Sequence, residues 1–180
     1  MVKQLSRILR RFRADRRGTV LVEMSLVVPL VLFLSAGVFE FGNLIHDKLL
    51  MEAGLSDGAR FAARCNSQLY TDAGLTAIDC AGLATNIAVF GNIAGTAPAR
   101  VTGWTTAGVT ITIADPTTCK NAVDPNTGTV LYLSTTSQVC IVTATGTYAY
   151  SNLDSVGLLS LFNITTVTLS SSHQERLFRF

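Results

Sequence analysis

The chain has 180 residues, of which 48% are hydrophobic and 14% are charged, and its formal net charge is +2. This length suffices for one compact domain with an additional N-terminal segment. The small net charge hides an asymmetry, because residues 1–18 contain seven basic residues and one acidic residue, a net charge of +6. The remaining chain contains seven basic and eleven acidic residues, so the overall charge is no evidence for a nucleic-acid partner.

The basic cluster of residues 1–18 lies directly before a long apolar segment. A basic cluster can bind nucleic acid or anionic lipid, but it also fixes the orientation of a membrane helix that follows it. The position favours the second explanation. We therefore expect residues 1–18 to form a cytoplasmic leader, and we expect no nucleic-acid partner.

Residues 19–42 form a 24-residue segment whose only formal charges are Glu23 and Glu40. As a helix it would be about 36 Å long, enough to cross a hydrocarbon core of about 30 Å. A cleavable secretory signal has a shorter apolar stretch with a small-residue cleavage site after it. We therefore predict a retained transmembrane helix, with its N-terminus in the cytoplasm and the following chain exported.

Beyond the apolar segment, residues 43–69 are predicted to continue the helix as a stalk that ends between Ala63 and Leu69, because apolar and polar residues alternate at helical spacing. Pro29 lacks a backbone N–H, which predicts a kink or local unwinding within the membrane segment. Gly54 and Gly58 are four residues apart, which permits close helix approach or simply flexibility.

Residues 70–180 have the composition of a β-rich domain. Fifteen threonines lie between positions 96 and 147, and threonine suits a half-exposed strand. Alternation of apolar and polar residues predicts strands at 109–113, 129–133, 139–145 and 164–169. A short helix within residues 75–93 is expected to cover one face of the sheet. The predicted fold class is α+β: a long N-terminal transmembrane helix extends into a stalk, followed by a small exported antiparallel β-rich domain.

All four cysteines lie on the exported side of the predicted membrane segment. They are Cys65, Cys80, Cys119 and Cys140. An even number in an oxidising compartment predicts two disulfides. Three pairings stay open, and Cys65–Cys80 with Cys119–Cys140 is favoured over either of the others. The spacing is not Cys-x-x-Cys, so a zinc site or a thioredoxin-like motif is not indicated.

Known catalytic motifs are missing from the sequence. It has no Gly-x-Ser-x-Gly turn, no glycine-rich phosphate loop and no His-Glu-x-x-His motif. Its two histidines, His46 and His173, are interpreted as solvated side chains. We therefore predict a protein that is not an enzyme, with no catalytic residues, no metal site and no cofactor.

The residues that indicate a function are Gly18, Thr19 and Glu23. Cleavage after Gly18 would leave a free α-amine on Thr19, with the Glu23 carboxylate one helical turn away. A cation in or near lipid requires an anion, and a glutamate in a membrane segment is a functional candidate by default. The alternative is that Glu23 simply lies at the cytoplasmic boundary and extends its carboxylate toward water.

Several motifs in a fixed order resemble the N-terminal signature of TadE-like proteins, the pseudopilins of the tight-adherence (Tad, or Flp) type IV pilus systems. The resemblance covers residues 14–64. It begins at Asp15-Arg-Arg-Gly-Thr-Val-Leu-Val-Glu-Met-Ser-Leu-Val-Val-Pro-Leu30 and continues through Phe39-Glu-Phe-Gly42 and Gly58-Ala-Arg-Phe-Ala-Ala63. Met24 departs from the family, in which an aromatic residue often follows the glutamate.

The resemblance implies a minor pseudopilin that supports adherence, cut by a prepilin peptidase between Gly18 and Thr19, with Glu23 as the assembly glutamate. The implied partners are the membrane, the prepilin peptidase, other pilins and pseudopilins, and the pilus assembly platform. The implied location is the bacterial inner membrane, with a periplasmic C-terminal domain and possible incorporation in an extracellular pilus. The chain lacks a von Willebrand A-like domain, so a TadE or TadF role is favoured over TadG. The alternative is an uncleaved, signal-anchored envelope protein whose β domain binds a ligand or a surface.

Overall fold

The computed structural model describes residues 17–114, 117–131, 137–151, 163–164 and 166–178. These residues form an α+β arrangement in which one long helix precedes a small antiparallel sheet. The helices are α1 (Arg17–Arg64), α2 (Ser67–Asp72) and α3 (Cys80–Phe90), and the strands are β1 (Val109–Thr112), β2 (Cys119–Asn121), β3 (Gln138–Ser151) and β4 (Thr166–Arg176).

Helix α1 is 48 residues long and remains helical through Pro29. Of the predicted kink or local unwinding, the unwinding is therefore wrong, and the kink stays a prediction. Proline lacks the N–H that would donate to the carbonyl of Ser25, and the residues on both sides of it remain helical. By its internal contacts the chain divides into two units, of which the first contains residues 17–42 and 163–164 and the second contains residues 43–151 and 166–178.

Strand β3 is the centre of the sheet in the second unit. Strand β4 pairs antiparallel over its whole length with residues 141–151 of β3, from Ile141 opposite Arg176 to Ser151 opposite Thr166. On the other side of β3, β1 pairs with residues 143–146 and β2 pairs with residues 138–140. The long central strand thus connects two short strands that do not pair with each other.

The core of the second unit lies between α1, α3 and the inner face of this sheet. Side chains at alternating positions of β3 and β4 face inward, because successive strand residues point to opposite faces. The fully buried members with the largest side chains are Met51, Leu55, Val89, Val101 and Val142. The chain's single tryptophan, Trp104, is also buried in this core.

Gly54 and Gly58 are the points of closest approach between α1 and α3. A Cβ atom at Gly54 would lie 2.3 Å from the carbonyl oxygen of Ala88, and one at Gly58 would lie 2.8 Å from that of Ala84. Both contacts are with backbone atoms, which cannot rotate away. Of the two interpretations left open by the sequence, close helix approach is the one that the structure shows.

The described part of the strand predicted at 129–133 is not a strand. Residues 129–131 make only an isolated bridge, between Val130 and Val123, and residues 132–133 lie outside the described part of the chain. A turn precedes the bridge, in which the Asp124 carboxylate accepts hydrogen bonds from the backbone N–H groups of Asn126 and Thr127. The turn returns the chain, so that the backbone N–H of Leu131 donates to the carbonyl of Ala122.

Strand β4 extends seven residues beyond the predicted 164–169, through the polar sequence from Ser170 to Arg176. Its inward positions there are polar rather than apolar, and α1 supplies their partners. Ser171 hydrogen-bonds to Glu52, and Glu175 pairs with Arg60. Apolar alternation could not reveal this half of the strand, because ionic groups take the place of hydrophobic ones.

We predict that Gly54→Ala destabilises the second unit by about 1–3 kcal/mol, because the added methyl group forces α1 and α3 apart. The measurement is urea unfolding of the detergent-solubilised protein, followed by Trp104 fluorescence. Gly42→Ala is the matched control, because nothing lies within 4 Å of the corresponding Cβ position on the same helix. Equal unfolding midpoints for the two variants would contradict the packing described here.

Candidate processing and assembly site

Gly18 and Thr19 lie in the first turn of α1, and both are exposed. No atom lies within 4 Å of the position that a Cβ of Gly18 would occupy, so the backbone is open to an approaching protein at this point. Residues 1–16 of the predicted leader lie outside the described residues. The bond between Gly18 and Thr19 is therefore accessible, but it is part of a helix.

Glu23 is exposed on α1 four residues after Thr19. Four helical residues correspond to about 6 Å along the axis and a little over one turn, so the two residues share a face of the helix. Within the described part of the chain, no side chain forms an ion pair with Glu23. The carboxylate is thus available to a cation outside the described part of the chain.

The helix surface around these residues is apolar and uncovered. Exposed large apolar side chains include Val20, Leu21, Val22, Met24, Leu26, Val27, Val28, Leu30, Val31, Leu32, Phe33, Leu34, Val38, Phe39 and Phe41. Such a surface is far larger than a water-soluble monomer exposes, which indicates a lipid or protein environment. The described helix is long and apolar enough to cross a membrane, and only 6% of its most apolar stretch is buried.

Two serines within this apolar surface are compatible with a membrane environment. The hydroxyl of Ser25 donates a hydrogen bond of 2.8 Å to the carbonyl of Val22, and that of Ser35 donates one of 2.9 Å to Leu32. A hydroxyl satisfied within its own helix needs no water. These serines therefore do not oppose insertion into lipid.

Glu40 is the buried acid of this segment, with only 3% of its surface exposed. Gly37, one turn earlier on the same face, is also buried. The Oε1 atom of Glu40 receives no hydrogen bond from the described residues. The sequence marked Glu40 only as a charge in an apolar run, and the three-residue spacing to Gly37 is the signal that could have identified a buried face.

Each disulfide joins two cysteines that follow one another in the order of the four along the chain. Cys65 follows the last residue of α1 and is bonded to Cys80, the first residue of α3, with a Cα–Cα distance of 5.8 Å. Cys119 and Cys140 lie directly opposite each other in the β2–β3 pair. The first disulfide fixes the distal end of α1 against α3, and the second fixes β2 to the sheet.

Charged side chains connect the part of α1 within the second unit to β4. Lys48 donates a hydrogen bond to the carbonyl of Ser170 and pairs with Glu52 at 3.4 Å. Further along, Arg60 lies 3.3 Å from a carboxylate oxygen of Glu175, which also contacts His173 at 3.2 Å. The hydrogen bond from His173 and the interactions with Arg60 hold the pKa of Glu175 below its usual value.

The described residues outside the membrane segment offer no catalytic or metal-binding arrangement. No group of three or more His, Cys, Asp or Glu side chains within them could hold a metal ion. Burial raises the pKa of Asp47, partly offset by the nearby His46. Burial also raises the pKa of Tyr148, whose hydroxyl donates to the carbonyl of Thr102 at 2.8 Å. His46 lies near Asp47, and His173 contacts Glu175. Interaction with an acid therefore accounts for the position of each histidine.

Comparison with known proteins gives one family match. Residues 18–60 match the family model described as TadE-like protein. This is the family indicated by the motif resemblance, which is confirmed over these residues. The match begins at Gly18 and includes Thr19, Glu23 and the glycine pair of α1. Neither the curated proteins nor the solved structures give a match to this chain.

The pKa of Glu175 leads to a pH prediction. Because it is lower in the folded protein than the usual 4.5, the ionised group stabilises the fold above about pH 4.5 and loses this effect as the pH falls through its folded value. Glu175→Gln should therefore be less stable than the parent at pH 6, by less than about 1 kcal/mol, because the partner Arg60 is 61% exposed and water screens the pair.

At pH 3, below the usual pKa of a glutamate, the difference in stability should be smaller than at pH 6. The measurement is urea unfolding at both pH values, with Asp72→Asn as a control for the loss of one exposed carboxylate. A stability difference that is the same at pH 6 and pH 3 would contradict the ionic role of Glu175.

Proposed function

We propose that this chain is a minor pseudopilin that takes part in the assembly of a Tad-type pilus and is cut by a prepilin peptidase between Gly18 and Thr19. Its role is structural rather than catalytic, and it supports adherence through the pilus. The observation that carries the proposal is the coincidence of three features on α1. The family match begins at Gly18, an exposed membrane-length apolar surface follows, and Glu23 lies one turn after Thr19.

Cleavage requires the first turn of α1 to open. A peptidase binds its substrate with an extended backbone around the bond to be cut, whereas Gly18 is helical in the uncut chain. Glycine favours such opening, because it stabilises a helix less than alanine does by about 1 kcal/mol, and helix ends fray easily. Gly18 thus combines an open approach to the backbone with a helix end that unwinds at little cost.

Cleavage changes the charge of the N-terminus. Removal of residues 1–18 takes away a net charge of +6 and leaves a chain with a net side-chain charge of −4. The new α-amine of Thr19 is a cation at the end of an apolar helix, and Glu23 supplies the nearest carboxylate. When the amine of one subunit pairs with Glu23 of a neighbouring subunit, the two helices are offset by about 6 Å along their axes. This offset is the rise of four helical residues.

The arrangement of charges in the sequence determines the orientation in this proposal. Seven basic residues precede the apolar segment, which keeps the N-terminus in the cytoplasm. The second unit, with its two disulfides, then lies in the oxidising periplasm of a bacterial envelope. The partners are the inner membrane, the prepilin peptidase, other pilins and pseudopilins, and the assembly platform.

The decisive experiment is the intact mass of the protein purified from its native membrane, with and without the host prepilin peptidase. A chain that begins at Thr19 only when the peptidase is present supports the proposal and locates the cut. An intact N-terminus in both strains would favour the alternative, an uncleaved envelope anchor whose exported unit binds a ligand or surface.

We predict that Gly18→Asp reduces processing at least about ten-fold, which requires a loss of only about 1.4 kcal/mol of transition-state stabilisation. The added side chain blocks the peptidase at the backbone, and a carboxylate in the first turn also stabilises the helix that must open. The ratio of cut to uncut protein in membranes measures this. Gly18→Ala is the control for loss of glycine alone, and efficient cutting of Gly18→Asp would refute the assigned site.

We predict that Glu23→Ala is cut normally but supports few or no pili, because the new α-amine then lacks its carboxylate. Glu23→Asp retains the charge and should restore part of the assembly. The measurements are the N-terminal mass of the membrane protein and the number of pili on the cells. Normal piliation by Glu23→Ala would show that this carboxylate has no role in assembly.

A further inference from the structure

A groove of about 390 Å³ lies at the distal end of α1, entirely within the second unit. We name it the arginine groove. Its lining consists of Arg60, Phe61, Arg64, Cys65, Asn66, Leu69, Tyr70 and Ile78. The volume falls within the range of about 300–1,000 Å³ typical of ligand pockets in proteins. None of these residues takes part in the proposed cleavage or in the pairing of Glu23.

The floor of the arginine groove is apolar and open to solvent. Leu69 is 57% exposed and Tyr70 is 43% exposed, and both belong to α2, which contains no buried residue. Both side chains line the groove, so their exposed apolar area is available to a partner. This short helix contributes nothing to the core, so stability does not explain its apolar side chains.

Two guanidinium groups stand beside this apolar floor. Arg60 and Arg64 are four residues apart on α1, so they project from the same face. Arg60 is 61% exposed and has a single contact with Glu175, which leaves other N–H groups available. Arg64 is exposed, and no carboxylate of the described residues forms an ion pair with it. The positive charge of the groove is thus only partly neutralised by the Glu175 carboxylate.

The walls of the groove are fixed before any ligand arrives. The Cys65–Cys80 disulfide closes one end, and the side chain of Asn66 caps α2 by accepting a hydrogen bond from Gln68. The hydroxyl of Ser67 accepts another from the backbone N–H of Ile78, which holds that wall in place. A rigid site loses little entropy on binding, so even a short segment can bind with useful affinity.

We propose that the arginine groove binds a short acidic peptide segment of another exported protein, with a carboxylate between Arg60 and Arg64 and an adjacent apolar side chain on Leu69 and Tyr70. Charge complementarity selects the carboxylate, because guanidinium groups bind it with paired, charge-assisted hydrogen bonds. The apolar floor selects a bulky aliphatic or aromatic neighbour. This inference does not depend on cleavage at Gly18, since an uncleaved anchor would present the same groove.

The test uses the full-length protein in nanodiscs of phosphatidylethanolamine, panned against a random 12-residue peptide phage library. Enriched peptides should carry Asp or Glu within two residues of a large apolar residue. A synthetic peptide with the enriched sequence should bind Arg64→Gln at least about ten-fold more weakly, as expected for loss of a charge-assisted hydrogen bond.

Leu69→Glu should abolish binding, because the new carboxylate occupies the groove from within. Leu69 lies on the surface, so this variant leaves the core intact. Lys120→Gln is the matched control, since it removes one exposed cation from β2, away from the groove, and it should bind like the parent. A consensus without an acidic residue, or equal binding by the parent, Arg64→Gln and Leu69→Glu, would overturn the proposal.

Two further results would replace the proposed occupant. Loss of peptide binding when the nanodiscs contain phosphatidylglycerol would show that an anionic lipid fills the groove. A consensus that matches a segment of this chain, together with self-association that depends on Arg64, would show that a second copy does. Both results would overturn the assignment to another exported protein.

Discussion

The second unit depends on the contact of Gly54 and Gly58 with the backbone of α3 at Ala84 and Ala88. Four small residues allow two helix backbones to approach more closely than larger side chains would permit. This approach brings Leu55 and Ala59 into the same core as Val89 and Val142. It also brings Asp57 within 2.7 Å of Arg100, whose side chain extends from the segment after α3. A larger residue at either glycine would separate the parts that these contacts join.

The same contact determines the position of everything beyond it on α1. Arg60 and Arg64 lie on the next turns of the helix, and Cys65 follows directly. With α1 held against α3, Cys65 is in reach of Cys80, so the disulfide closes without distorting either helix. The charged contacts of Lys48 and Arg60 with β4 add specific pairings between helix and strand but little free energy. Exposed ion pairs each contribute less than about 1 kcal/mol.

The sequence predicts those features that depend on long, uniform patterns. The apolar run of residues 19–42 and its continuation as a helix follow from length and periodicity alone. Pro29 is tolerated because the loss of one hydrogen bond is small beside the remaining hydrogen bonds of the helix.

Features that depend on which residues lie opposite each other in the folded chain could not be predicted from the sequence. The sequence could not separate close packing from flexibility at Gly54 and Gly58, and it could not show that Ser171 and Glu175 face ionic partners. The described part of 129–133 makes one bridge rather than a strand, and alternation over five residues could not show how short its pairing partner would be. For the candidate site, Gly18, Thr19 and Glu23 follow from their spacing, whereas the arginine groove joins α1, α2 and Ile78 only after folding.

The Cys65–Cys80 link has a consequence for when the protein matures in the orientation proposed above. Its thiols would stay reduced in the cytoplasm and become oxidised only after transfer across the membrane. During synthesis, the end of α1 and the start of α3 would therefore remain unlinked. Once the bond has closed, Cys65 and Cys80 stay joined even when the second unit unfolds, and this cross-link lowers the conformational entropy of the unfolded chain.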